Sequence, residues 1–93
     1  MIIKTAIPAK LRKFRATIYY TVNKYHPDYL YIKNPEEEQS FTDDYTVDMN
    51  YFNGLDHVKQ YIKNDLRVIA GGGYSTAYTY NVRYTFEELP VNR

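Results

Sequence analysis

The stretch from Leu66 to Tyr84, LRVIAGGGYSTAYTYNVRY, sets three consecutive glycines ahead of Ser75 and Thr76. Glycine-rich loops cradle phosphate when the N–H groups and positive dipole end of a following helix face the anion. Here the order is reversed. Leu55, Val58, Ile62, Leu66 and Ile69 step by three or four and predict a helix that precedes the glycines. The loop then meets a helix C-terminus, whose carbonyls repel phosphate. The lysine of a phosphate loop is also missing, because Gly73 is followed by Tyr74. The glycines read as a stop and a hinge. Gly71 is expected in the left-handed conformation that ends a helix, with Gly72 and Gly73 swinging the chain into a strand.

Other residue types capable of chemistry do not converge. His26 and His57 lie far apart and show no metal-ligand spacing. Asp43, Asp44 and Asp48 lack the glycine and spacing of a calcium loop. Glu87 and Glu88 are adjacent, so a strand would point them to opposite sides. No histidine stands beside a candidate serine, and there is no nucleophile elbow. The absence of cysteine excludes disulfides and thiolate chemistry. The expectation is a protein that is not an enzyme, with no catalytic residue, metal or cofactor.

Lys24-Tyr25-His26-Pro27-Asp28, followed by Lys33-Asn34-Pro35-Glu36-Glu37-Glu38 and Phe41, locally resembles the loop of J-domain co-chaperones. In that family a His-Pro-Asp tripeptide joins two helices and engages a heat-shock chaperone. The context departs from the family. Thr17 to Val22 is β-branched and aromatic with a period of two, and extra residues separate the tripeptide from the Asn-Pro segment. A turn between strands is the preferred reading of His26-Pro27-Asp28.

The elements that position these residues follow from periodicity. Residues 1–10 are ambiguous: Ile2 and Ile3 suit a short strand that Pro8 interrupts. Phe14, Ala16, Ile18, Tyr20 and Val22 alternate with Arg15, Thr17, Tyr19 and Thr21, predicting a strand. Tyr29 to Lys33 reads as a second strand with Leu30 and Ile32 pointing inward. Residues 34–44 read as an acidic, mobile loop, and Asp44 to Phe52 as a third strand. Asn53 is the expected N-cap, with Asp56 in the first helical turn. The last strand runs from Ala77 to Glu87, and residues 90–93 form a frayed tail. One helix covers one sheet face. The expected fold is therefore α+β in two layers, a four-stranded, mostly antiparallel sheet in βββαβ order, within a single domain of 93 residues.

The net charge of +1 hides an asymmetry. Residues 1–33 hold seven Lys/Arg and one acid, and residues 34–56 hold seven acids and no Lys/Arg. Mutual neutralisation in the fold is the preferred reading, and a basic patch for an acidic partner the alternative. Scattered early lysines and arginines leave no signal-peptide run, and no stretch has the length of a membrane span, so a cytoplasmic protein is expected.

The twelve tyrosines suit both strands and interfaces. On the uncovered sheet face the expected binding residues are Arg15, Tyr19, Tyr29, Tyr31, Lys33 and Arg83. Tyrosine and arginine are enriched at binding hot spots. The first reading is a protein-binding module, similar in style to the small proteins that phages and mobile elements use to inhibit host proteins. The second is a single-stranded nucleic-acid binder that stacks bases on tyrosine and tracks the backbone with Lys and Arg. Assembly through an unpaired sheet edge is also open.

Overall fold

The computed structural model describes residues 7–73 and 75–91, so the strand expected from Ile2 and Ile3 and the last residues of the tail lie outside them. Three strands and one helix follow in order: β1 (Leu11–Val22), β2 (Gln39–Asp48), α1 (Leu55–Ala70) and β3 (Thr79–Leu89). The sheet order is β2-β1-β3, with β1 antiparallel to both neighbours. β2 and β3 therefore run parallel to each other, linked by α1 and separated by β1. The α+β fold is as expected. The fourth strand is absent among the described residues.

The missing strand is Tyr29–Lys33. Tyr29–Tyr31 instead forms one 3-10 turn. The Asp28 carbonyl accepts from Tyr31 N–H (2.9 Å) and Ile32 N–H (3.1 Å), amides that a strand would give to a neighbour. Pro27 and Pro35 bracket the segment and hold it in turns. Leu30, expected to point inward, is 90% exposed.

β2 begins earlier than its sequence pattern suggests. Gln39 to Asp44, expected in the acidic loop, pair with β1, and Asp44 lies opposite Arg15. The strand stops at Asp48 for a local reason. The Asp48 carboxylate accepts from the N–H groups of Asn50 (3.0 Å) and Lys10 (3.1 Å), turning the chain into a 3-10 turn at Met49–Tyr51.

The helix cap also differs from expectation. Gly54, at φ 107°, occupies the N-cap without a side-chain cap bond. Asn53 donates its N–H to His57 Nδ1 (3.0 Å), so His57 closes this end from inside the helix. At the far end Gly71 has φ −80°, and the left-handed residues are Gly72 and Gly73. Gly72 N–H reaches Ile69 O (2.9 Å) and Gly73 N–H reaches Val68 O (2.9 Å), the paired bonds of a Schellman stop. Gly71 answers a different constraint: a Cβ there would lie 1.8 Å from the Ser75 carbonyl oxygen.

The core lies between α1 and one sheet face. Phe14, Ala16 and Ile18 of β1 and Val47 of β2 meet Val58, Ile62, Leu66 and Ala70 of α1. The expected stripe holds at its centre and shifts at its ends. Ala70 is buried in place of Ile69, and Leu55 and Ile69 remain on exposed flanks. No helix of the described residues is long and apolar enough to cross a membrane.

Ile62 is fully buried at the centre of this contact. Ile62→Ala is expected to lower unfolding free energy by about 2–4 kcal/mol, because the cavity cannot collapse in so small a core. Urea denaturation followed by circular dichroism measures it.

Candidate functional site

The uncovered face of the sheet is built by register. Arg15, Thr17 and Tyr19 of β1 stand beside Asp44, Thr42 and Ser40 of β2 and beside Glu87, Thr85 and Arg83 of β3. Their side chains bind one another. Arg15 donates from Nε and Nη2 to the two Asp44 oxygens (2.9 and 3.2 Å). The Thr17 and Thr42 hydroxyls share a hydrogen bond at 2.7 Å. The Arg83 guanidinium stacks 3.8 Å from the Tyr19 ring centroid and donates to Glu38 (2.9 Å). On the opposite side of the sheet, the one shared with Phe14, Arg12 forms a two-point pair with Glu88. Arg15 thus meets an acid of the 34–56 segment, as the neutralisation reading expects, and so does Arg83.

These pairs tune the carboxyls. Hydrogen bonds from Arg15 lower Asp44 below its ordinary 3.8, reinforced by the guanidinium charge against a burial effect. Hydrogen bonds from Arg12 lower Glu88 below its ordinary 4.5 in the same way. Asp48 is lowered by the two backbone N–H groups it accepts. Across the edge, Tyr45 donates to Asp65 of α1 (2.5 Å). Burial first, and then that bond and its charge, push the Tyr45 phenol well up.

The six residues expected to share one face therefore separate into two groups. Arg15, Tyr19 and Arg83 lie on the open face, engaged with neighbours. Tyr29, Tyr31 and Lys33 are not on the sheet at all but in the β1–β2 connection. There Tyr31 is 86% exposed beside Leu30, and Tyr25 is 70% exposed with the Lys24 ammonium 5.3 Å from its ring centroid. Leu30 and Tyr25 were not among the expected binding residues. The signal was available in the two prolines, which leave room for a turn rather than a paired strand. A shallow hollow of about 210 Å³ lies beside this tip, lined by Lys33, Asn34, Pro35, Glu36 and Glu37.

The tip is fixed by a buried histidine. His26 Nδ1 accepts from the Asp28 N–H (3.0 Å), which places the ring proton on Nε2. Nε2 donates to the Ala70 carbonyl at 2.6 Å, satisfying one of the orphan acceptors at the end of α1. The ring packs edge-on against Tyr78, 6.3 Å between centroids. Pro27 adjoins Gly72 so closely that a Cβ on that glycine would lie 2.7 Å from Pro27 Cγ. His26-Pro27-Asp28 is thus the joint between the first connection, the helix end and the entry to β3. Among the described residues no group of three or more His, Asp or Glu gathers as a metal site. No protein-family model, curated protein or solved structure matches the chain.

His26→Ala is expected to cost about 1–3 kcal/mol by leaving the Ala70 carbonyl and the Asp28 N–H unpaired, read by chemical denaturation. Acid should weaken the sheet as well. Because Asp44 and Glu88 sit below their ordinary values, their contribution is complete above those values and is lost as pH falls through the lowered ones. The melting temperature should fall in that window, and D44N with E88Q should flatten the fall.

Proposed function

We propose that this chain is a small, non-enzymatic protein-binding module whose contact surface is the tip formed by Tyr25, Leu30 and Tyr31, with Lys33 at its margin. One observation carries the reading. Leu30 and Tyr31, 90% and 86% exposed, stand side by side on a turn whose backbone is bonded at Asp28 and whose base is anchored by His26. Exposed apolar side chains taken singly need no explanation, but an adjacent pair on a held turn is a preformed contact. Tyrosine supplies a large ring with a polar end at low entropic cost. In this proposal Tyr31 and Lys33, expected on the sheet face, act from a different element, and Tyr29 is not part of the contact surface.

The sheet face supports nucleic-acid binding less well. Arg15 and Arg83 are each paired with a carboxylate, so phosphate would have to compete for them. Tyr19 is covered by Arg83 rather than open for base stacking.

The test is a tagged pull-down from a bacterial lysate, after nuclease treatment and in about 0.5 M salt, comparing wild type with L30A/Y31A. Both side chains are exposed, so the variant should melt with the wild type. A stoichiometric protein retained by wild type and lost by the variant is the expected result. Equal capture by both would place binding elsewhere, and capture that vanishes with nuclease would mean nucleic acid.

A further inference from the structure

β3 is an edge strand. One side pairs with β1, and among the described residues no strand pairs with the other. Such an edge templates pairing with another chain unless charge, proline or a bulge blocks it. The opposite edge, β2, carries Asp43, Asp44 and Asp48 and no basic residue, so two copies joined there would set acids against acids. β3 is different in composition and in shape. Its pairing with β1 shifts register between Tyr19 and Thr21, where Asn81 takes φ 53°. This bulge bounds the regular stretch at one end, and Pro90 follows it at the other. The unbroken register with β1 runs from Arg83 to Leu89.

We propose that the chain forms a two-fold homodimer by antiparallel pairing of β3 with β3 of a second copy, centred on Thr85. In that register Thr85 meets Thr85, and Arg83 meets Glu87 twice, once on each side of the axis. On the helix-covered face Tyr84 meets Phe86, also twice. Moving the centre to Tyr84 puts Arg83 opposite Thr85, and moving it to Phe86 puts Arg83 opposite Leu89. Of these three centres only Thr85 sets Arg83 opposite Glu87.

The side chains are placed for this. Glu87 lies opposite Arg15, whose guanidinium Asp44 occupies, and among the described residues it joins none of the three ion pairs. Arg83 uses one Nη2 contact on Glu38 and has further N–H donors free for a second carboxylate. Lys59 and Lys63 of α1 rest over the Phe86 and Tyr84 rings at 5.5 and 5.6 Å, on the covered face and away from the Arg83–Glu87 pairs. The two-fold axis runs perpendicular to the sheet. The product is a continuous six-stranded antiparallel sheet with both helices on one face.

The chain contains no cysteine, so T85C gives a clean test. Directly opposed residues of antiparallel strands have Cα atoms about 4.5–5.5 Å apart, within disulfide range. Mild oxidation of T85C should yield a covalent dimer, while S40C on β2 should stay largely monomeric. Sedimentation equilibrium from about 1 µM to about 1 mM should show the wild type dimerising. R83E and E87R should each weaken the dimer about tenfold, and the two together should restore it. A monomer throughout that range, no preference for T85C over S40C, or a dimer indifferent to R83E would overturn the proposal.

Discussion

The Ala70 carbonyl at the end of α1 ties the helix to the connections around it. A helix leaves its last acceptors unpaired, and a buried acceptor without a donor is costly. His26 supplies the donor for Ala70 from a segment forty-four positions earlier in the chain. In doing so it brings the β1–β2 connection under the helix end, where Pro27 meets Gly72. Asn23 closes the same joint toward β3, donating its N–H to Tyr78 O (3.0 Å) and its side-chain amide to Ala77 O (2.9 Å). The β1–β2 and α1–β3 connections are thus tied together at the helix end. The exposed turn at Tyr29–Tyr31 is built directly onto this junction.

A single helix over a three-stranded sheet leaves the other face in water. That face is filled with cross-strand pairs: Arg15 with Asp44, Thr17 with Thr42, and Arg83 over Tyr19 toward Glu38. Exposed ion pairs of this kind stabilise little, but they hold side chains in place and cancel local charge. The polarity that made the face look receptive in sequence is turned on itself. The most exposed apolar side chains lie instead off the strands, on Leu30 and Tyr31 of the β1–β2 connection and on Tyr51 and Ile7 of other connecting segments.

The elements with long, regular periods were legible in the sequence. Alternation along β1 and β3 and the three-four stripe of α1 follow from which faces are buried, and burial is what hydrophobic patterning records. The direction of the glycine argument was legible too, since helix order alone decides which dipole end a loop meets. The short segments were not. Tyr29–Ile32 has the composition of a strand, which outweighs the hint of a turn in the flanking Pro27 and Pro35; the Asp28 carbonyl, which captures two amides locally, completes the turn. The end of β2 depends on the Asp48 carboxylate, and the helix start on the His57 ring, both side-chain to backbone bonds without a periodic signature. His26 read as a turn residue, and its role under α1 rests on a contact between distant parts of the chain.

The most direct test of this account is backbone order at the tip, measured by 15N relaxation and amide hydrogen exchange on the folded protein. A preformed contact surface requires that Tyr31 and Ile32 N–H groups stay bonded to Asp28 O and that the Asp28 N–H stay bonded to His26. Order parameters near the rigid-backbone value of about 0.85 are expected for residues 28–32, with slowed exchange at those three amides. Order parameters below about 0.6 with unprotected amides would contradict it, because the exposed Leu30 and Tyr31 would then belong to a floppy loop rather than a held recognition surface.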